Sequence, residues 1–316
     1  MRHNALDNLS GCRSIWPANI SSSNGEFGVV DHHGRFVWYE LLTTDIAAAK
    51  AFYGSVVDWD GQDASTSEFA YTLFRTGRGP VSGLMDLPPE ARKMGATPRW
   101  VGYVAVDAVD ASAERIKRLG GAIYVPPTDS NIGRIAVVTD PQTATFALVE
   151  GLRHGQPEIS DMSAEGCVGW HELITADWRK AFAFYGELFD WRETDANPAL
   201  LPAYHVFAAG GRTIGGMSSK LARVPVPFWL YYFNVGDIDV ALRRVEKGGG
   251  RIAMGPHELP GNSGIARCID PQGAMFALQG PRTQDRTKRL PDPDIEWSTD
   301  WGGLSSKGRL VIKPRT

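Results

Sequence analysis

The chain is poor in cysteine, in long apolar runs and in excess charge. Its 316 residues hold three cysteines, Cys12, Cys167 and Cys268, far apart and in no CxxC spacing. That argues against a disulfide framework and against a thiolate metal site, and unpaired thiols fit a reducing cytoplasm. No run reaches the roughly 18 apolar residues of a membrane helix. The opening stretch, MRHNALDNLSGCRSIW, lacks the apolar core of a secretory signal. A net charge of −3 provides no basic stripe for nucleic acid. The expectations are therefore a cytoplasmic location, no nucleic-acid partner and no membrane partner. Phosphate-cradling loops are missing too. Gly210-Gly211-Arg212 sits in a hairpin pattern, outside the strand–loop–helix context of a dinucleotide site. No Ser elbow and no Cys–His pairing stands out.

What the chain does have is a second copy of itself. Residues 38–59 (WYELLTTDIAAAKAFYGSVVDW) match residues 170–191 (WHELITADWRKAFAFYGELFDW) at 12 of 22 positions, with an offset of 132. Trp100–Asp110 matches Trp229–Asp239 at an offset of 129, and Asp140–Leu148 (DPQTATFAL) matches Asp270–Leu278 (DPQGAMFAL) at 130. Three blocks in one order at a near-constant offset mark a tandem duplication. The boundaries read as an N-terminal extension over 1–33, a first domain over 34–151, a linker over 152–166, a second domain over 167–281 and a tail over 282–316.

Each copy has the same local pattern. Phe36–Leu42 is an apolar strand that ends in Thr-Thr-Asp, with a helix N-cap at Thr44 or Asp45. Ala49, Phe52, Tyr53 and Val56 then fall on one helical face, as do Ala181, Phe184, Tyr185 and Leu188. Phe52, Val56, Phe184 and Leu188 are expected to anchor these helices to their own sheets. Strands are expected over 69–76 and 81–87. A second strand–helix unit opens at Trp100, and further strands lie near 122–125, 132–139 and 145–149. The order β-α-β-β-β thus occurs twice per copy, which predicts an α+β class with helices outside curved sheets.

The strand–TxD–helix–FYG–DW signature and the DPQxAxFAL segment resemble the vicinal oxygen chelate superfamily of glyoxalases, bleomycin resistance proteins and dioxygenases. The resemblance covers roughly 35–150 and 167–280. It implies two tandem glyoxalase-like domains, each with a half-barrel cleft formed by two modules. In the enzymes of that group the cleft holds one divalent metal. The resemblance places its ligands here at Trp38, near Gly83, near Val101 and at Ala147, and in the second copy at Trp170, near Gly215, near Leu230 and at Ala277. Indole and alkyl side chains offer no lone pair to a cation. No metal ligand and no cofactor is therefore assigned. His171, His205 and Glu172 are the second-copy residues with ligand chemistry worth checking as an unorthodox site.

Glu40 and Glu172 lie two residues beyond the vacated first ligand position, on the same strand face. They are candidate catalytic bases or polar contacts, or else rim glutamates that accept hydrogen bonds. Tyr39 and His171 point the other way, toward a surface or domain interface. Trp38, Trp170, Trp100, Trp229, Tyr103 and Tyr232 are the candidate ligand-binding aromatics, set against a core role for some of them. Three functions compete. The first is a small-molecule-binding protein for an apolar or aromatic compound that lacks the usual metal ligands. The second is a lyase or a dioxygenase- or hydroxylase-type enzyme with a rearranged metal site or a Glu base. The third is a structural protein with filled clefts. Two joined repeats take the place of a homodimer of single domains, so a monomer is expected, with a dimer as the alternative.

Overall fold

The computed structural model describes residues 32–67, 69–153, 162–194, 204–220, 224–259 and 261–282. Most of the N-terminal extension, nearly all of the tail, and Cys12 lie outside the described residues.

The elements run β1 (Phe36–Thr43), α1 (Ile46–Val57), β2 (Asp60–Asp63), β3 (Tyr71–Thr76), β4 (Gly79–Asp86), α2 (Pro89–Lys93), β5 (Arg99–Ala105), α3 (Val109–Arg118), β6 (Ala122–Ser130), β7 (Gly133–Thr139) and β8 (Thr145–Glu150). The second copy runs β9 (Val168–Thr175), α4 (Trp178–Phe189), β10 (Arg192–Glu193), β11 (Tyr204–Ala209), β12 (Arg212–Ser219), β13 (Phe228–Asn234), α5 (Ile238–Lys247), β14 (Arg251–Leu259), β15 (Ser263–Ile269) and β16 (Met275–Pro281). Helices α1 and α4 start where the sequence places them. Asp45 accepts from the Ala48 amide, and Asp177 from the Arg179 and Lys180 amides. Both end at an aspartate in the left-handed region, Asp58 (φ 62°) and Asp190 (φ 56°). The short, polar strand β2 and the five-residue α2 were not legible, because neither carries an apolar period.

Each copy forms one open eight-stranded sheet, ordered β2-β3-β4-β1-β5-β8-β7-β6 and β10-β11-β12-β9-β13-β16-β15-β14. Within a copy the two modules join through an antiparallel central pair, β1 with β5 and β9 with β13. This is the two-domain architecture expected from the repeat, with the half-barrel form implied by the family resemblance.

The helical faces of the two sheets meet each other, α1 against α5 and α3 against α4. One continuous apolar core runs through both domains there, and each concave face carries its own smaller cluster. Phe52 shows the consequence. Its ring lies against the Gly248 and Gly250 backbone and 5.9 Å from the Phe276 ring, all in the second domain. It therefore ties α1 to the opposite domain, whereas the sequence led to the expectation of an anchor to its own sheet.

The strongest repeat motifs build this junction in reciprocal pairs. Tyr53 of the first FYG donates to Asp270 of the second DPQ (3.1 Å), and Tyr185 donates to Asp140 (3.2 Å). The other oxygen of each aspartate receives amides of its own turn. The DW indoles reach across as well, Trp59 to the Gly166 carbonyl (2.8 Å) and Trp191 to the Gly34 carbonyl (2.6 Å). Both glycines have positive φ (+75° and +77°), and a Cβ would sit 2.8 Å from the Phe189 carbonyl oxygen at Gly34 and 3.0 Å from Trp59 Nε1 at Gly166. No other residue fits either place. Part of the stretch read as a linker is docked here too, since the Met162 and Ala164 carbonyls accept from Asn234.

Candidate functional site

Strand alternation sorts the candidate residues onto two faces. Trp38, Glu40, Val101, Tyr103 and Ala147 share the concave face of the first sheet, as Trp170, Glu172, Leu230, Tyr232 and Ala277 share that of the second. Trp100 and Trp229 are one residue out of phase and stand on the helical face. There they donate to Tyr53 (2.9 Å) and Tyr185 (3.1 Å). Grouping these two with ligand-binding aromatics is corrected by the pleat: they belong to the junction between domains.

Tyr39 and His171, equivalent in the repeats, meet at that junction. His171 Nδ1 lies 2.6 Å from the Ile214 carbonyl oxygen and so must carry the proton; Nε2 then accepts from the Tyr39 hydroxyl at 2.6 Å. A small cavity between the domains is bordered by these two side chains with Arg35, Phe36, Met162 and Arg212. The set His171, His205 and Glu172 does not converge. His171 faces the junction and Glu172 the cleft, while His205, on β11, stacks on Trp178 and contacts Glu193 at 2.8 Å. Among the described residues no group of three His, Cys, Asp or Glu side chains is placed to hold a cation.

The first cleft is packed shut. Trp38 and Glu40 are 0% exposed, so no water-sized void touches either. Tyr71 and Tyr103 both donate to the Glu40 carboxylate, and Trp38 Nε1 donates to Tyr71 at 3.3 Å. Leu73, Met85, Ile132, Ile135 and Val149 fill the remaining space, and Phe69 and Leu152 pack against them. Burial raises the Glu40 pKa, against the lowering effect of its hydrogen bonds. Between the ordinary value of 4.5 and the raised folded value the folded chain holds more proton on Glu40 than the unfolded chain does, so stability declines as pH rises through that window. Glu40→Gln is expected to remove this part of the pH dependence; urea midpoints at pH 5 and pH 8 test it, and an unchanged slope would refute it.

The second cleft keeps the same frame with different walls. Trp38, Tyr71, Leu73, Met85 and Ile135 are buried, whereas their counterparts Trp170, Tyr204, Val206, Ser218 and Ile265 are only half-buried. Val137, opposite Ala147, is replaced by Arg267, opposite Ala277. Arg267 Nη2 donates to both Glu172 oxygens (2.7 and 2.8 Å) and its Nε to Tyr232 (3.4 Å). Tyr232 in turn donates to Glu172 at 2.6 Å, and Trp170 Nε1 donates to Tyr204 at 2.7 Å. Half-buried Phe228 and Met275 pack beside this cluster. Residues 195–203, which precede β11, lie outside the described residues. Arg267, Tyr204, Ser218, Phe228 and Met275 were missed in the sequence. The available signal was a charge at one inward position of β15 where β7 carries valine.

The family model described as Glyoxalase/Bleomycin resistance protein/Dioxygenase superfamily matches residues 35–148 and 168–278. A Mycobacterium tuberculosis protein named "Putative glyoxylase CFP32" is 32% identical over 251 residues, 78% of this chain and 95% of the relative. The "Anthracycline biosynthesis protein DnrV" of Streptomyces peucetius is 31% identical over 144 residues, 46% of this chain and 50% of that protein. Among solved structures, a Mn(II)-bound glyoxalase from Novosphingobium aromaticivorans aligns with a TM-score of 0.54 at 16% identity, over 79% of this chain and 82% of the other. A homoprotocatechuate 2,3-dioxygenase variant from B. fuscum also gives 0.54, at 17% identity over 82% and 73%. At that identity these structures speak to the fold alone.

Proposed function

We propose that this chain, which belongs to the Glyoxalase/Bleomycin resistance protein/Dioxygenase superfamily, is a small-molecule-binding protein whose second cleft receives a flat, largely apolar compound. The first cleft serves as filled scaffold. The observation that carries this reading is the contrast at equivalent positions: Trp38, Tyr71, Leu73, Met85 and Ile135 are buried in the first domain, whereas Trp170, Tyr204, Val206, Ser218 and Ile265 are half-buried in the second, around a buried Glu172 and Tyr232. Half-buried Trp170, Tyr204, Phe228 and Met275 around a few polar groups have the composition of a ligand pocket.

The residues do not fit the divalent metal of the superfamily's enzymes. In register, its ligand positions carry Trp38, Gly83, Val101 and Ala147 in the first cleft and Trp170, Gly216, Leu230 and Ala277 in the second. A catalytic divalent ion takes about three or more N, O or S ligands, and none of these side chains supplies one. Glu172 is a poor candidate base, because its two oxygens already receive Arg267 and Tyr232. Glu40 has no access to solvent.

Titration with aromatic compounds, read by tryptophan emission, tests the proposal. Saturable quenching is expected, and Trp170→Ala is expected to weaken it by about tenfold, roughly 1.4 kcal/mol. An affinity that Trp170→Ala leaves unchanged would place the ligand elsewhere and sink the reading.

A further inference from the structure

Resting on that reading, we propose that the ligand of the second cleft is an organic acid, a flat apolar body carrying a carboxylate or similar oxyanion, and that Arg267 selects it.

The first domain is an internal control. Glu40 occupies the position of Glu172, with the same tryptophan before it, and it is accommodated by two phenols with no guanidinium against it among the described residues. The architecture of the repeat does not need a cation at this place. Arg267 is therefore an addition of the second domain. In the Arg267–Glu172 pair the Glu172 side chain is 2% exposed and the Arg267 side chain 16%. Of the two partners, the arginine side chain is the more accessible to a molecule entering the cleft.

The surroundings define the rest of the ligand. Half-buried Trp170, Phe228 and Met275 pack against Leu230, Tyr232 and Ala277 on the same concave face, Tyr204 accepts from Trp170, and these side chains offer flat, polarizable surface to a ring system. A partly desolvated guanidinium with planar N–H donors favours an oxyanion over a neutral carbonyl, because charge-assisted hydrogen bonds are about twice as strong as neutral ones. The Glu172 carboxylate holds the fork in place and limits how tightly a second anion can bind. That predicts moderate affinity with clear selectivity.

The test compares two probes of one shape, 2-naphthoate and 2-naphthamide, by tryptophan quenching on the full chain at neutral pH. Naphthoate is expected to bind at least tenfold more tightly. Arg267→Val, which copies the first domain, is expected to abolish the preference, and Arg267→Lys to retain part of it; far-UV circular dichroism establishes that each variant is folded. If Arg267→Val does not fold, loss of the preference at high salt in the unmodified protein gives the same answer for a charge-selected ligand. Equal affinity for the two probes would overturn this inference and leave the aromatic-binding reading standing. Binding of neither probe would count against both. A preference that survives Arg267→Val but vanishes in Arg35→Gln would move the anion to the cavity between the domains and overturn the assignment to Arg267.

Discussion

Phe52→Ala is expected to lower the stability of the whole chain by about 3–5 kcal/mol, as removal of a buried phenylalanine generally does, and to do so in one transition. Phe52 is 3% exposed and packs against Gly248, Gly250 and Phe276, so the lost contacts belong to both domains. The shared core also contains Tyr53, Trp59, Trp100, Tyr185, Trp191, Trp229 and Phe233, rings from both copies in mutual contact. Separating the domains would expose all of this surface to water, at about 25 cal/mol for each Å² of apolar area. Neither half should therefore remain folded while the other unfolds. Urea unfolding followed by tryptophan emission and by far-UV circular dichroism should give coincident curves, with the midpoint lowered and the slope unchanged in the variant. A second domain that keeps its original midpoint while the first melts early would show that the shared core does not couple them.

Acid should weaken the same junction through His171. Burial lowers its pKa from 6.5 to about 4, and the imidazole is held neutral between the Ile214 carbonyl and the Tyr39 hydroxyl. Between those two values the unfolded chain takes up a proton that the folded chain refuses, so stability falls as pH drops from 6.5 toward 4. The loss attributable to this residue approaches about 3 kcal/mol at the lower limit. Glu40, Asp140 and Asp270 act in the opposite sense, since burial raises their carboxyl pKa values. The His171 contribution is isolated by replacing both partners. The Tyr39→Phe/His171→Phe variant removes the titrating imidazole and its hydroxyl partner together, leaves the Ile214 carbonyl without its donor at a cost that does not vary with pH, and should lose less stability than the parent between pH 6.5 and 4.5. Parallel curves for the two proteins would mean that His171 is already protonated or already solvated in the folded state.

The duplication, the α+β class and, apart from β2 and α2, the element order were legible in the sequence. They rest on local signals: a capping aspartate before an apolar helical face, strand-length apolar runs, and glycine at turns. Period-two alternation also put Trp38 with Glu40 and set Tyr39 and His171 on the other face. The same rule, applied at Trp100 and Trp229, would have removed them from the candidate pocket, because each is adjacent to a residue at a vacated ligand position. The FYG and DPQ motifs were visible as motifs, yet their use was not. A tyrosine and an aspartate 217 residues apart bond only because two sheets lie with their helical faces together.

The amino-acid sequence alone determined that two equivalent α+β domains would form and which side chains share a strand face, since both follow from repeat spacing and strand period; that each sheet is a half-barrel with Trp38 and Trp170 on its concave face was implied by the family resemblance. Only the tertiary structure decided that Trp38 is sealed within the first concave face while Trp170 stays half-buried on the second. Among the described residues that difference includes a guanidinium standing where the first domain has valine. Packing of side chains that are distant in sequence sets whether a cleft is open, and no local pattern encodes it.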